Sequence, residues 1–199
     1  MAKKSVLIFS VFVIVLSLIL PLMPINSEEA IYDNTLRLHI MANSDSEYDQ
    51  ALKLAVRDRI LQYFKEENSD SDNIEKTRAF VLKNKGKLTD LAKKTVHENG
   101  YDYDVKITLS QEYYPTKEYK DVKMPAGYYM SLRILIGDAD GHNWWCVLYP
   151  PLCTGTAEVS KTLKEAGFTR SQINILTDDE NPKYVARFKI LEYLQQLFK

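Results

Sequence analysis

The sequence predicts a single α+β domain, a mostly antiparallel sheet backed by helices, behind an N-terminal hydrophobic export or anchor helix. Three observations carry this. Short runs alternate apolar and polar residues with period two, longer runs repeat apolar residues with helical spacing, and an uncharged apolar run heads the chain. Strand and helix patterns follow one another without repeats or low-complexity linkers. With 199 residues, 45% hydrophobic and 27% charged, the composition suits one folded domain. A formal net charge of −1 provides no electrostatic footprint for nucleic acid, and none is expected as a partner.

From Val6 to Met23 no residue is charged, and Lys3 and Lys4 stand immediately before the run. Its length lies between a signal-peptide apolar region of ~7 to 15 residues and a membrane span of ~20. Residues 1–27 therefore read as a signal peptide or signal anchor and 28–199 as the exported domain. Cleavage after Ser27 (Ile25 and Ser27) or after Ala30 (Glu28 and Ala30) matches the small-residue pattern poorly, which favours an uncleaved anchor with its lysines in the cytoplasm. Without those lysines the formal charge falls from −1 to −3, so attraction to acidic lipid does not hold the domain at a surface.

NTLRLHIM (34–41) sets Leu36, Leu38 and Ile40 against Thr35, Arg37, His39 and Met41, the pattern of a half-buried strand with a solvated second face. ANSDSEYDQ turns the chain, and Ser46 and Asp49 have capping-box spacing ahead of a helix whose buried stripe is Leu52, Val56, Ile60, Tyr63 and Phe64. A second helix carries Ile74, Arg78, Val81, Leu82, Leu88, Leu91, Ala92 and Thr95 on its stripe and stops at Asn99-Gly100, with Gly86 able to bend or divide it. YDYDVKITLS puts Tyr101, Tyr103, Val105, Ile107 and Leu109 on one strand face. After an irregular stretch or short edge strand beyond Pro115, AGYYMSLRILIG does the same with Tyr128, Met130, Leu132, Ile134 and Ile136. Asp140-Gly141 then predicts a hairpin joining this strand to WWCVLY. A helix stopped by Gly167 and an amphipathic helix bearing Val185, Phe188, Leu191, Leu194 and Phe198 complete the chain.

Two acidic stretches resemble metal sites only superficially. A calcium loop opening at Asp45 would need glycine at Gln50 and a bidentate glutamate at Val56, so helix capping explains the carboxylates better. Asp138, Asp140 and His142 read as a solvated turn, since no further His or Cys is suitably spaced. No metal, cofactor or catalytic residue is expected.

NWWCVLYPPLC (143–153) holds both cysteines and both tryptophans. Its C-x6-C spacing is not a redox motif, and a thiol hydrolase pairing Cys146 with His39, the alternative function, lacks an oxyanion-hole glycine motif beside either cysteine. A structural bridge between Cys146 and Cys153 suits an exported protein. Seven extended steps span ~23 Å whereas bridged Cα atoms lie within ~7 Å, so the bridge requires a reversal at Tyr149-Pro150-Pro151, which a cis X-Pro bond would supply. Two buried free thiols are the other reading. Trp144 and Trp145, adjacent on a strand, must face opposite ways, one into the core and the other beneath a helix or exposed as a partner anchor.

LRLHIMANSDSEYDQALKLAVRD (36–58) and NWWCVLYPPLC strongly resemble the stage II sporulation protein R family of endospore-forming bacteria in order and spacing. The family's hallmark stretches map onto Arg37, His39, Asn43, Ser44, Asp45, Asp49, Gln50, Lys53, Arg57 and Asp58, then onto Asn143, Trp144, Trp145, Cys146, Pro150, Pro151 and Cys153. The resemblance implies a signalling protein and not an enzyme. It would be made in the forespore, exported into the space between the two membranes, and there trigger a membrane-embedded aspartic protease of the mother cell to process the precursor of sporulation sigma factor E. The partner-binding candidates are Arg37, His39, Asn43, Asp45, Trp144 and Trp145. An anchored scaffold without signalling output is a third reading.

Overall fold

A computed structural model describes residues 9–15, 26–68, 71–119, 121–153 and 159–177. Residues 9–15 are helical; the rest of the export segment and the C-terminal helix expected at 182–199 lie outside the described residues. Among the described residues no helix is long and apolar enough to cross a membrane.

The elements are α1 (Asn26–Asp33), β1 (Leu36–Met41), α2 (Glu47–Glu67), α3 (Ile74–Glu98), β2 (Val105–Tyr114), β3 (Lys117–Tyr119), β4 (Val122–Met124), β5 (Gly127–Ile136), β6 (Asn143–Tyr149), α4 (Val159–Glu165) and α5 (Arg170–Thr177). This is the α+β domain expected, with a four-stranded sheet in the order β2-β5-β1-β6 and a separate β3–β4 hairpin. β1 pairs parallel with β5 and antiparallel with β6, and β2 pairs antiparallel with β5.

The expected hairpin between β5 and β6 does not form, because β1 lies between them. Their connection must bridge two inter-strand spacings, ~10 Å, so the Asp140-Gly141 loop cannot close a tight turn. It stitches instead onto the end of β1: Gly141 N donates to Ala42 O at 3.0 Å and Asp140 N to Asn43 O at 3.2 Å. The true hairpin is β2–β5, whose distal connection carries the short strands β3 and β4 where an irregular stretch or a short edge strand was expected.

Helices α2 and α3 cover one sheet face. Leu52, Val56, Ile60, Tyr63 and Phe64 of α2 are buried as their spacing required, with Leu36, Leu38, Ile40, Leu132 and Ile134 of the sheet in the same core. Each such apolar side chain contributes ~1.5 to 3 kcal/mol when fully buried. Phe80 locks the helices together, its ring 5.3 Å from Phe64. α3 runs unbroken through Gly86 and ends where Gly100 takes φ +85°, which glycine adopts without steric cost. Leu82 belongs to the expected stripe but is 63% exposed, and Tyr101 and Tyr103 precede β2, their rings stacked at 5.3 Å.

The second sheet face is also covered over part of its area. α1, the β3–β4 hairpin, α4 and α5 enclose a smaller core of Ile31, Tyr114, Met124, Tyr129, Val147, Leu163, Phe168 and Leu176. β1 is therefore buried on both sides, and the solvated face expected at Arg37 and His39 does not exist. On β5 the expected face is buried at Leu132, Ile134 and Ile136, but Tyr128 at its start is exposed while Tyr129, on the other face, is fully buried. Gly167, at φ +86°, ends the helical turn after α4 as expected; α1 and α5 had no sequence reading of their own.

Candidate functional site

The two motifs, about a hundred residues apart, fold against each other in two polar assemblies. The first joins the loop after β1 to the loop before β6. Ser46 caps α2 by accepting from Asp49 N at 3.2 Å. The Asp49 carboxylate does not complete a reciprocal capping box. It accepts from Ser44 Oγ at 2.6 Å and Asn43 Nδ2 at 3.0 Å, and is only 4% exposed. Burial pushes its carboxyl up, but the hydrogen bonds from Ser44 and Asn43, with further ones from Tyr103 and Ser46, outweigh burial and hold it below the usual range.

Across this loop Asn43 Oδ1 accepts from Asp138 N at 3.0 Å, and Asp45 Oδ1 accepts from His142 N and faces its ring nitrogen. The His142 backbone hydrogen bond is the main reason that the Asp45 carboxyl lies below its usual range. Lys53, a buried cation of α2, donates to His142 O at 2.8 Å and to Gln50 Oε1 at 2.5 Å; burial lowers its pKa, opposed by the charge of Asp45. Gly137 and Gly141 are required here. A Cβ at Gly137, which has φ +59°, would fall on Asn43 Oδ1, and one at Gly141 on Ser44 O. Asn43 and Asp45, expected at a partner contact, are thus occupied in bracketing two loops.

The second assembly is a polar seam inside the second face. Arg37 is fully buried. Its Nε donates to Cys146 O at 3.2 Å and its Nη2 to Tyr119 Oη at 2.7 Å, while the guanidinium lies 4.3 Å from the Tyr114 ring centre and 4.9 Å from that of Tyr129. Arg37 has no carboxylate partner among the described residues, and its Nη1 is buried without a hydrogen bond. Burial pushes the Tyr119 and Tyr129 hydroxyls up, with Arg37 opposing. Tyr114 Oη and Ser131 Oγ share a 2.6 Å hydrogen bond.

His39 is held at both ends, Nδ1 at 2.9 Å from Glu112 and Nε2 at 2.8 Å from Asn143 Oδ1. Arg133 Nε lies 3.1 Å from the same Glu112 carboxylate. Burial raises the Glu112 pKa, but the His39 hydrogen bond and the charges of His39 and Arg133 bring it below its ordinary value. Trp145 flanks His39 with ring centres 5.7 Å apart, and Lys117 Nζ lies 4.1 Å from the Trp145 ring centre.

Trp144 and Trp145 face opposite ways as expected, and both are partly exposed. Trp144 lies on the helix side beneath Arg57, whose guanidinium is 4.3 Å from its ring centre. Arg37 and His39, expected at the surface, are 0% and 4% exposed and reach a partner only through the side chains packed around them. Glu112, Arg133, Lys117 and the tyrosines of the seam escaped sequence reasoning. Only the tyrosine-rich stretch 113–129 hinted at them.

Cys146 and Cys153 are bridged, with Cα atoms 5.8 Å apart, and the Tyr149-Pro150 bond is cis as the reversal required. The Cys146–His39 dyad is excluded by geometry. Cys146 is paired with Leu38 and Trp145 with His39, so the cysteine and the imidazole lie on opposite faces of the sheet.

The model of the family Stage II sporulation protein R matches residues 32–159. A curated relative, Stage II sporulation protein R of Bacillus subtilis (strain 168), is 32% identical over 161 residues, 79% of this chain and 72% of the relative. No solved structure matches the chain.

Proposed function

The chain belongs to the stage II sporulation protein R family and has a role in sporulation; from that premise we propose that it is an exported activating ligand and not an enzyme. In this reading it passes from the forespore into the intermembrane space, secreted or held by its N-terminal segment. There it binds a membrane-embedded aspartic protease of the mother cell and shifts it towards the arrangement that processes pro-sigma-E. Activation of this kind requires tighter binding to the active arrangement than to the resting one.

The observation that carries the reading is the match over residues 32–159, which spans both motifs. Their polar residues serve to brace one compact surface: Asn43, Asp45, Asp49 and Lys53 bracket loops, and His39 is clamped between Glu112 and Asn143. A ligand that shifts a partner's equilibrium benefits from such rigidity, because little ordering entropy is lost on binding. Helical residues 9–15 support anchoring, since Phe9, Phe12 and Ile14 are 58–68% exposed and need apolar surroundings.

Co-expression of the chain, the protease and the sigma precursor in a non-sporulating host tests the proposal. Mature sigma factor should appear only when all three are present. Processing without the chain, or none with it, would overturn the reading.

A further inference from the structure

Among the described residues the second face of the sheet is covered over only part of its area. Its α1, hairpin, α4 and α5 layer lies over the end that carries Arg37, Val147 and Tyr129. At the other end Met41 pairs with Leu135 and Leu135 with Lys106, and His39 with Arg133 and Arg133 with Thr108. Met41, Leu135, Arg133 and Thr108 are partly exposed and Lys106 is exposed, yet none of them belongs to either apolar core.

This open end carries excess positive charge although the exported chain is acidic overall. Lys106 and Lys117 have no ion pair among the described residues. Among the described residues Arg133 shares one carboxylate, Glu112, with His39, and its Nη2 donates to the Met41 thioether at 3.8 Å, a weak acceptor. Of the acids in the adjoining loop, Asp45 is paired with His142. The face therefore offers Lys106 and Arg133 beside a Met–Leu pair, with Lys117 over Trp145 and Glu112 as the one carboxylate paired to Arg133.

We infer that the open half of the second sheet face, around Met41, Leu135, Arg133 and Lys106, docks an acidic segment of the partner protein. The segment's carboxylates meet Arg133, Lys106 and Lys117, and its apolar side chains cover Met41 and Leu135. This rests on the reading of the chain as a ligand for a protein partner. Charge of this kind sets encounter rate and orientation, and a rim charge reversed in sign repels what it had attracted.

The experiment uses the same three-component host, with Lys106→Glu and Arg133→Gln made separately and together and Lys85→Glu on the exposed side of α3 as control. Lys106 is exposed and makes no ion pair among the described residues, so its reversal leaves folding intact, and thermal unfolding of each purified variant verifies this. The double variant should slow processing by about tenfold or more, and Lys85→Glu by less than about twofold. A photo-crosslinking amino acid at Leu135 should capture the protease. Wild-type processing by a folded double variant would overturn the inference and leave the ligand reading standing. Crosslinks from position 135 only to a second copy of the chain, to its own C-terminal residues or to lipid would do the same. If the wild-type chain itself fails to support processing, the ligand reading falls and this inference with it.

Discussion

Arg37 separates the energetic value of a buried cation from that of its shape. The guanidinium makes hydrogen bonds to Cys146 O and Tyr119 Oη, each worth ~1.5 to 3 kcal/mol for a charged donor. Contact with the Tyr114 and Tyr129 rings adds ~1 kcal/mol or more in a desolvated site. Against these stands the loss of water by an ion that no carboxylate of the described residues compensates, several kcal/mol per ion. The two sides nearly cancel, so the charge contributes little net stability while the volume contributes much. Arg37→Ala should therefore cost about 3 kcal/mol, because it leaves a cavity between three rings and strands a buried carbonyl. Arg37→Met, which fills the slot without a charge to desolvate, should cost about 1 kcal/mol or less. Urea unfolding of residues 28–199 with the disulfide intact measures both. Equal losses for Met and Ala would refute the cancellation, and an Ala variant within about 0.5 kcal/mol of wild type would refute the packing argument. Any loss of processing by Arg37→Ala should track its loss of stability, because the side chain presents nothing to a partner.

Glu112 makes stability depend on pH. Its folded pKa is depressed, so its contribution is present above the ordinary carboxylate range near 4.5 and is lost as pH falls through the folded value; Glu112→Gln should flatten the unfolding free energy against pH in that acid window. Removing the bridge by Cys146→Ser or Cys153→Ser should cost about 2.5 kcal/mol by the loop-entropy estimate, similarly for both variants, and calorimetry with and without reductant measures it; clearly unequal losses would refute the loop-entropy account. Gly137→Ala should destabilise by roughly 1 to 3 kcal/mol in urea, since the new Cβ displaces Asn43 from the loop bracket; a neutral result would show that the bracket yields easily. Trp145→Ala should reduce processing more than it reduces stability, measured by melting and reconstitution on the same preparation, whereas the reverse would place Trp145 in the core alone.

Features set by neighbouring residues were legible in the sequence. The buried stripe of α2, its Ser46 cap, the stop at Gly100 and the reversal that brings Cys146 to Cys153 all depend on contacts a few residues apart, and local stereochemistry specifies them. The two long motifs also marked the family. Tertiary structure decided what lies beside β1 and above it. A period-two pattern shows that the strand's faces differ; it does not show whether the polar one meets water or a second layer. Inserting β1 between β5 and β6 overrode the Asp140-Gly141 hairpin signal, and folding α1, the β3–β4 hairpin, α4 and α5 over Arg37 and His39 turned an expected contact surface into a buried seam. Strand order and layer coverage come from pairings distant in sequence, whose energies no single segment contains, so Arg133 and Lys106 at the open end of the sheet become candidates only in the folded chain.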